Sequence, residues 1–438
     1  YGSLMYLALQ RAKTAREAIR VMAGLVEQYG YYSSGESFSI ADANEVWIME
    51  MIGKGPENKG AVWVARRVPE GYISAHANQA RIRQFPLANG RTSITCKDIS
   101  LINNPRIETV YAHDTIEFAR GKEYFSGKDQ DFSFADAYAP LSFFALRFCE
   151  ARVWSMFRRV APSLNISPDF VMGVAGAEPM PLWIKPDNKL SVRDVMELMR
   201  DHFQDSDMDL RVGIDAGPYG LPYRWRPLTW KVDDAEYFNE RATSTQQTGF
   251  SFVSQSRSWL PDPIGGLLWF GVDDTYSTVY VPIYCGIREI PKSFAVGTAN
   301  FDSFSWDSAF WVFNFVANWA YSRYQDMIQD IQIVQRELEG MFLARQPEID
   351  QAALHLFRSA PELARDYLTT YSVNQAEMTT KRWKELGEHL IWKYLDGNIR
   401  NELGKVTQPG YPEPWLRRVI KERGDHYRIK KTEESERP

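Results

Sequence analysis

The chain has 438 residues, with 51 Lys+Arg against 56 Asp+Glu and a net charge of −5. That length holds one large domain or two to three average ones, with enough chain for a sizeable core. A composition 44% hydrophobic and 24% charged argues against global disorder, and mild acidity without a basic block argues against a nucleic-acid-binding surface.

Leu4, Leu7 and Ala8 follow helical spacing with no N-cap ahead of them, which reads as a sequence cut at the edge of a helix. Thr14 and Glu17 form a capping box, and Ala18, Val21, Met22, Leu25 and Val26 form the stripe of a second helix that Gly30 ends. The period then changes to that of strands. Phe38–Ile40, Val46–Met51, Ala61–Arg66 and Tyr72–His76, separated by turn-rich segments, predict a four-stranded antiparallel meander. Helices covering one face of such a sheet give layered α+β packing.

Residues 86–190 are less regular. Asp114–Arg120 fits a short helix. The aromatic run Leu141–Val160, with Arg147, Arg152, Arg158 and Arg159 along it, fits a helix with a solvated basic face. Ser191–Phe203 is a helix capped by Ser191 and Asp194, with Val195, Leu198 and Met199 as its stripe. Residues 213–232 carry loop chemistry. Phe250–Val253, Gly266–Phe270 and Ser277–Tyr284 predict a second antiparallel sheet, with a turn at Asp273-Asp274. Beyond Phe304 the chain is helical: one helix runs from a cap at Asp307 or Ser308 toward Met341, and others span Ile349–Leu356, Pro361–Tyr371 and Asn374–Leu395. The tail Lys421–Pro438 alternates in charge and reads as a frayed end.

Many standard chemistries are missing from this pattern. Cys96, Cys149 and Cys285 are odd in number and lie at no metal-ligand spacing, so neither a complete disulfide framework nor a structural zinc is expected. There is no Gly-x-Ser-x-Gly elbow, His-Glu-x-x-His or phosphate-cradling loop, and no cofactor is expected. The best apolar stretch, Ala309–Tyr321, is broken by Asn314 and Asn318 and falls short of the ~20 residues a membrane span needs. Aromatics make up 14% of the chain, which suits packed sheets or an aromatic-lined cleft. Two segments could carry a site. In Ser74–Arg81 a strand runs into polar groups, where Asn78 could donate to an oxyanion or merely cap a turn. In Thr243–Arg257, Arg257 could grip a carboxylate or be an ordinary surface arginine.

The strings Ser37–Asp42, Glu45–Met51, Trp63–Pro69, Ala75–Ile82 and Ser244–Arg257 resemble the dipeptidase A family of bacterial cysteine peptidases, over most of the chain from Tyr1 to about Arg400. The resemblance implies a four-layer αββα sandwich of two antiparallel sheets, the fold of N-terminal-nucleophile hydrolases, truncated at its start and lacking its first strands. Residues 1–303 would be the core, with an insertion around 86–190, and residues 304–438 a helical extension. A terminal Cys would attack the scissile carbonyl of a dipeptide, its own α-amine acting as base, with broad specificity and an acyl-enzyme intermediate. Residue 1 is Tyr and no cysteine is terminal, so the nucleophile is absent and the chain as given is expected to be inactive. Asn78 is then the candidate oxyanion donor, Arg257 the candidate partner of the thiol or the substrate carboxylate, and Arg81 and Gln247 the candidate substrate contacts. The expected partners are dipeptides, with no nucleic acid and no membrane. Homo-oligomerisation and a cytoplasmic or exported location stay open, as does a catalytically silent peptide- or glycan-binding homologue. A glycosidase would need two carboxylates across a sugar, and Glu45, Glu50, Asp273 and Asp274 are the available ones.

Overall fold

The computed structural model describes residues 2–429; positions 430–438 of the expected frayed tail lie outside the described residues. The fold is α+β. It divides into two compact units, the first made of Tyr1–Asp201, Glu240–Thr243 and Ser254–Gly266, the second of His202–Asn239, Ser244–Val253 and Leu267–Pro438.

The first unit is built on a five-stranded sheet. Gly35–Ala41, Val46–Gly53 and Ala61–Arg67 form the expected meander, with Ala41 opposite Val46 and Gly53 opposite Ala61. Asp42 fastens its first turn to the preceding helix, Ala15–Tyr29. One of its carboxylate oxygens accepts the N–H groups of Asn44 and Glu45 at 2.7 and 3.0 Å, and the other accepts the Ala15 N–H at 2.9 Å. Thr14 caps that helix by accepting the Glu17 N–H at 3.2 Å, while the Glu17 carboxylate reaches the N–H of Lys13 rather than that of Thr14.

The two central strands are buried on both faces. Trp47, Met49, Met51 and Trp63 pack with Ile19, Met22 and Val26 of the helix. Ile48, Val62 and Val64 pack with Ile82, Phe85, Phe132 and Phe134 on the other side. These strands accordingly read as near-continuous apolar runs rather than alternating ones.

The fourth strand differs from the expectation. Thr109–Tyr111 pairs beside Ala61–Arg67, and Ser93–Thr95 joins it in parallel at the edge. The expected Tyr72–His76 shrinks to Ile73–Ser74, which pairs with Trp183–Ile184 instead. Burial explains the choice, because Thr109, Val110 and Tyr111 are at most 6% exposed whereas Tyr72 remains 44% exposed. The run after Leu141 also differs: Ala145–Glu150 is wound as a π-helix that tightens into the α-helix Ala151–Val160. Ser191 and Asp194 form a complete capping box for the helix Val192–Met199.

In the second unit, Phe250–Ser256, Gly266–Val272 and Val281–Tyr284 form a three-stranded sheet that carries most of its residues there. The turn between its last two strands places Asp273 at φ 64°. Three helices follow, Ala309–Ala320, Tyr324–Ser359 and Pro361–Lys393. The break expected between Met341 and Ile349 is absent, since the helix runs through Pro347. The break expected near Tyr371 is absent too, because Ser372 sits buried in the helix and its hydroxyl accepts the Tyr284 N–H at 3.2 Å. A further helix, Glu413–Arg423, takes up the start of the expected tail. Among the described residues no helix is long and apolar enough to cross a membrane.

Gly53 ends the second strand where a side chain has no room. A Cβ there would lie 2.4 Å from the Ser33 carbonyl oxygen, a backbone atom that cannot rotate away. Gly53→Ala is expected to cost roughly 1–3 kcal/mol, read as a lower urea midpoint; an unchanged midpoint would show that the 31–34 loop yields.

Candidate active site

Glu50 is the one charged residue in the apolar strand Val46–Gly53, and it is 1% exposed. Its two carboxylate oxygens accept the backbone N–H groups of Arg81 and Ile82, at 2.7 and 2.9 Å. Burial pushes the Glu50 carboxyl up to about 7, against the pull of those two hydrogen bonds. Arg81 completes the clamp. Its Nε donates to Glu150 at 3.0 Å, and its terminal nitrogens donate to the carbonyls of Ala75 at 2.9 Å and Pro181 at 3.0 Å. The guanidinium is thus spent on the chain itself, and the Arg81–Ala75 bond closes a short loop over residues 75–81.

The loop held in this way carries His76, Asn78 and Gln79. His76 Nε2 is 2.8 Å from the Ser39 hydroxyl. Burial, then the charges of Arg81 and Arg152, push its imidazole down from the usual value, so it is neutral at pH 7. Gln79 donates to the Ala139 carbonyl. Asn78 is exposed at the apex, and its Oδ1 accepts from Arg152 Nη2 at 2.7 Å. A guanidinium can only donate, so the atom facing it must be the amide oxygen. The Nδ2 N–H groups are left without a protein partner among the described residues.

Arg152 comes from the helix that follows the π-helical segment. It also donates to the Phe148 carbonyl at 2.6 Å, and its Nη2 lies 4.0 Å from Cys149 Sγ. Burial and the neighbouring Arg241 hold its guanidinium down to about 10, so it is a cation at pH 7. Arg147, expected on a solvated face, is buried and paired with Glu240.

Arg257 is 3% exposed. Its Nε and Nη2 donate to the carbonyls of Gly265 at 3.2 Å and Ile264 at 2.6 Å. Gly265 permits that turn, since a Cβ there would lie 2.8 Å from the Arg257 carbonyl oxygen. Asn78, Arg81 and Arg257 belong to the first unit. Gln247 belongs to the second, where it is exposed and accepts from Arg226 Nε.

The four carboxylates of the sugar-cleaving alternative are dispersed. Glu45 pairs with Arg16 and Arg67, and Glu50 is engaged as above. Asp273 and Asp274 lie in the second unit, pushed by burial up to about 7 and about 6. Asp274 accepts from the hydroxyls of Tyr223 and Tyr321 and from the Tyr276 N–H; Asp273 accepts from Asn314 Nδ2 at 2.9 Å. Among the described residues no three His, Cys, Asp or Glu side chains are grouped to hold a metal ion.

Residue types and spacing did not point to Glu150 or Arg152 as parts of this arrangement. For Glu50 a signal existed, a lone carboxylate inside an apolar strand, which demands buried partners. Glu150, which pairs with Arg81, and Arg152, which holds Asn78, lie 69 and 74 residues away from them in sequence and left no local mark.

Set beside known proteins, residues 1–337 match the model of a peptidase family, described as Peptidase family C69. The chain belongs to that family, the family of the dipeptidase A proteins. It is 25% identical over 332 residues to a probable dipeptidase A of Streptococcus pyogenes serotype M3 (strain SSI-1), covering 75% of this chain and 60% of the relative. It is 24% identical over 282 residues to a probable dipeptidase of Salmonella dublin, covering 63% and 53%. A probable dipeptidase B of Streptococcus pyogenes serotype M1 is 20% identical over 393 residues, covering 89% and 70%. The chain spans 55–60% of the length of the first three curated relatives it matches.

Because the Glu50 carboxyl titrates near 7 in the fold and near 4.5 when exposed, the folded chain binds the extra proton between those values. Its contribution to stability therefore falls as pH rises through that window. Glu50→Gln sets an amide N–H against a backbone N–H and is expected to cost roughly 1–3 kcal/mol. Urea unfolding at pH 5 and pH 8 should show a larger deficit of the variant at pH 5; an equal deficit would mean that Glu50 is not protonated in the fold.

Proposed function

We propose that this chain forms the greater part of an N-terminal-nucleophile dipeptidase, with the αββα core of that class. A terminal Cys thiolate attacks the scissile carbonyl of a dipeptide, and its α-amine takes the proton. The negative charge that develops on the carbonyl oxygen needs a fixed donor, and Asn78 supplies it. The observation that carries this reading is the Asn78–Arg152 hydrogen bond: it ties down the amide oxygen and leaves the Nδ2 N–H groups without a protein partner among the described residues. A donor held before the reaction begins costs no reorganisation when charge appears. The cationic Arg152 beside it favours negative charge at this place. Arg257, locked by two backbone carbonyls, is assigned to the thiol or to the substrate carboxylate. Family membership and the names of the relatives support dipeptides as substrates; broad choice among them is part of the proposal.

The mature N-terminus of the native protein, read by mass spectrometry, tests the mechanism: a terminal Cys supports it, and a terminus without Cys, Ser or Thr removes it. A panel of dipeptides and glycosides assayed on that protein separates peptide release from sugar release and from binding alone. In the active protein, Asn78→Ala is expected to lower kcat by about 100–1000-fold with KM little changed, and unchanged turnover would remove Asn78 from the site. Arg257→Lys should impair turnover; normal kinetics would remove Arg257.

A further inference from the structure

The first unit contains a cavity of about 580 Å³ that none of Asn78, Arg81, Arg152 and Arg257 lines. Its size lies within the 300–1,000 Å³ typical of small-molecule sites. It opens where the strand Val46–Gly53 runs into the 53–60 loop.

One wall is aromatic, formed by Phe118, Tyr124 and Tyr138, with the two tyrosine rings perpendicular at 6.1 Å. Tyr138 spends its hydroxyl on the Thr115 carbonyl, so what it presents to the cavity is ring. Two lysines stand over the Phe118 ring, Lys54 at 5.5 Å and Lys122 at 5.8 Å. Their charges are not equivalent. Lys54 is paired with Asp114. Lys122 has no carboxylate partner among the described residues. Glu57, in the 53–60 loop on the rim, has no cationic one among the described residues, and both side chains are exposed. The cavity thus offers one unspent cation, one unspent carboxylate and an aromatic wall. The wall also continues toward the candidate active site, because Ala139, between Tyr138 and Pro140 of the lining, accepts the hydrogen bond from Gln79, next to Asn78.

We propose that this cavity binds a free aromatic amino acid, with Lys122 on its α-carboxylate, Glu57 on its α-ammonium, and its ring against Phe118, Tyr124 and Tyr138. Opposite unpaired charges suit a zwitterion and disfavour a simple anion or cation. The rings pack against an aromatic side chain better than against a branched aliphatic one. This assignment concerns binding alone and does not rest on the peptidase reading.

Titration calorimetry of the 438-residue chain tests it, with phenylalanine, phenylalaninamide, N-acetylphenylalanine and leucine as ligands. Phenylalanine should saturate a single site, and each of the other three should bind about tenfold more weakly. Lys122→Gln should weaken phenylalanine by a similar factor and leave phenylalaninamide, which has no carboxylate, unchanged. Glu57→Gln should do the same for phenylalanine against N-acetylphenylalanine. Both positions are exposed, so the variants should fold, and an unchanged thermal midpoint checks this. Absence of saturation by phenylalanine, equal binding of all four ligands, or variants that bind phenylalanine as the parent does would each overturn the proposal. No turnover is measured, so either result leaves the peptidase reading to its own experiments.

Discussion

A carboxylate buried in the middle of a sheet and satisfied by two backbone N–H groups organises the first unit. Burying an ionised carboxyl without partners costs several kcal/mol, so the strand that carries Glu50 is stable in the core only if another segment brings donors to it. The chain around Arg81 and Ile82 is that segment. Once it is anchored there, the Arg81 guanidinium is also buried and must find its own acceptors. Glu150, Ala75 and Pro181 provide them, each from a different stretch of sequence. One desolvation requirement thus passes from group to group until the short loop bearing His76 and Asn78 is fixed at both ends.

The charges around that loop are distributed unequally. Arg81 and Arg147 are neutralised by Glu150 and Glu240, whereas the partners of Arg152 among the described residues are a carbonyl, an amide oxygen and, more distantly, a thiol. Local positive potential is therefore concentrated on the arginine that touches Asn78. The depressed imidazole of His76 belongs to the same balance, since a second cation beside Arg81 and Arg152 would be repelled by both. A preorganised positive field at a polar apex is the setting in which a developing anion is stabilised most.

The parts of the fold that sequence revealed are those decided by neighbours along the chain. The capped helix from Ala15, the first hairpin and the Ser191 capping box depend on contacts three to seventeen residues apart, and side-chain chemistry announces them. The fourth strand depends on a competition between Tyr72–His76 and Thr109–Tyr111 for one sheet edge, which burial settles and local pattern does not. Pro347 shows the opposite failure. A local helix breaker is overruled where the rest of a long helix, with Ile331, Val334, Leu338 and Phe342 buried, is already held by packing. At the site, Asn78 and Arg257 stood out through family resemblance, but the clamp that positions Asn78 leaves no local pattern, because its members lie on separate elements.

The path of the chain between the two units has a consequence for inheritance. The polypeptide crosses from one to the other at 201/202, 239/240, 243/244, 253/254 and 266/267. The partner of Arg147 and the whole turn that locks Arg257 are thus encoded among residues of the other unit. No single recombination point in the gene could exchange one unit while leaving the other whole, and a fragment ending at Asp201 would strand Arg147 beside a missing carboxylate. A crossover anywhere between residues 202 and 266 therefore hands on a chain in which segments of both units are mixed.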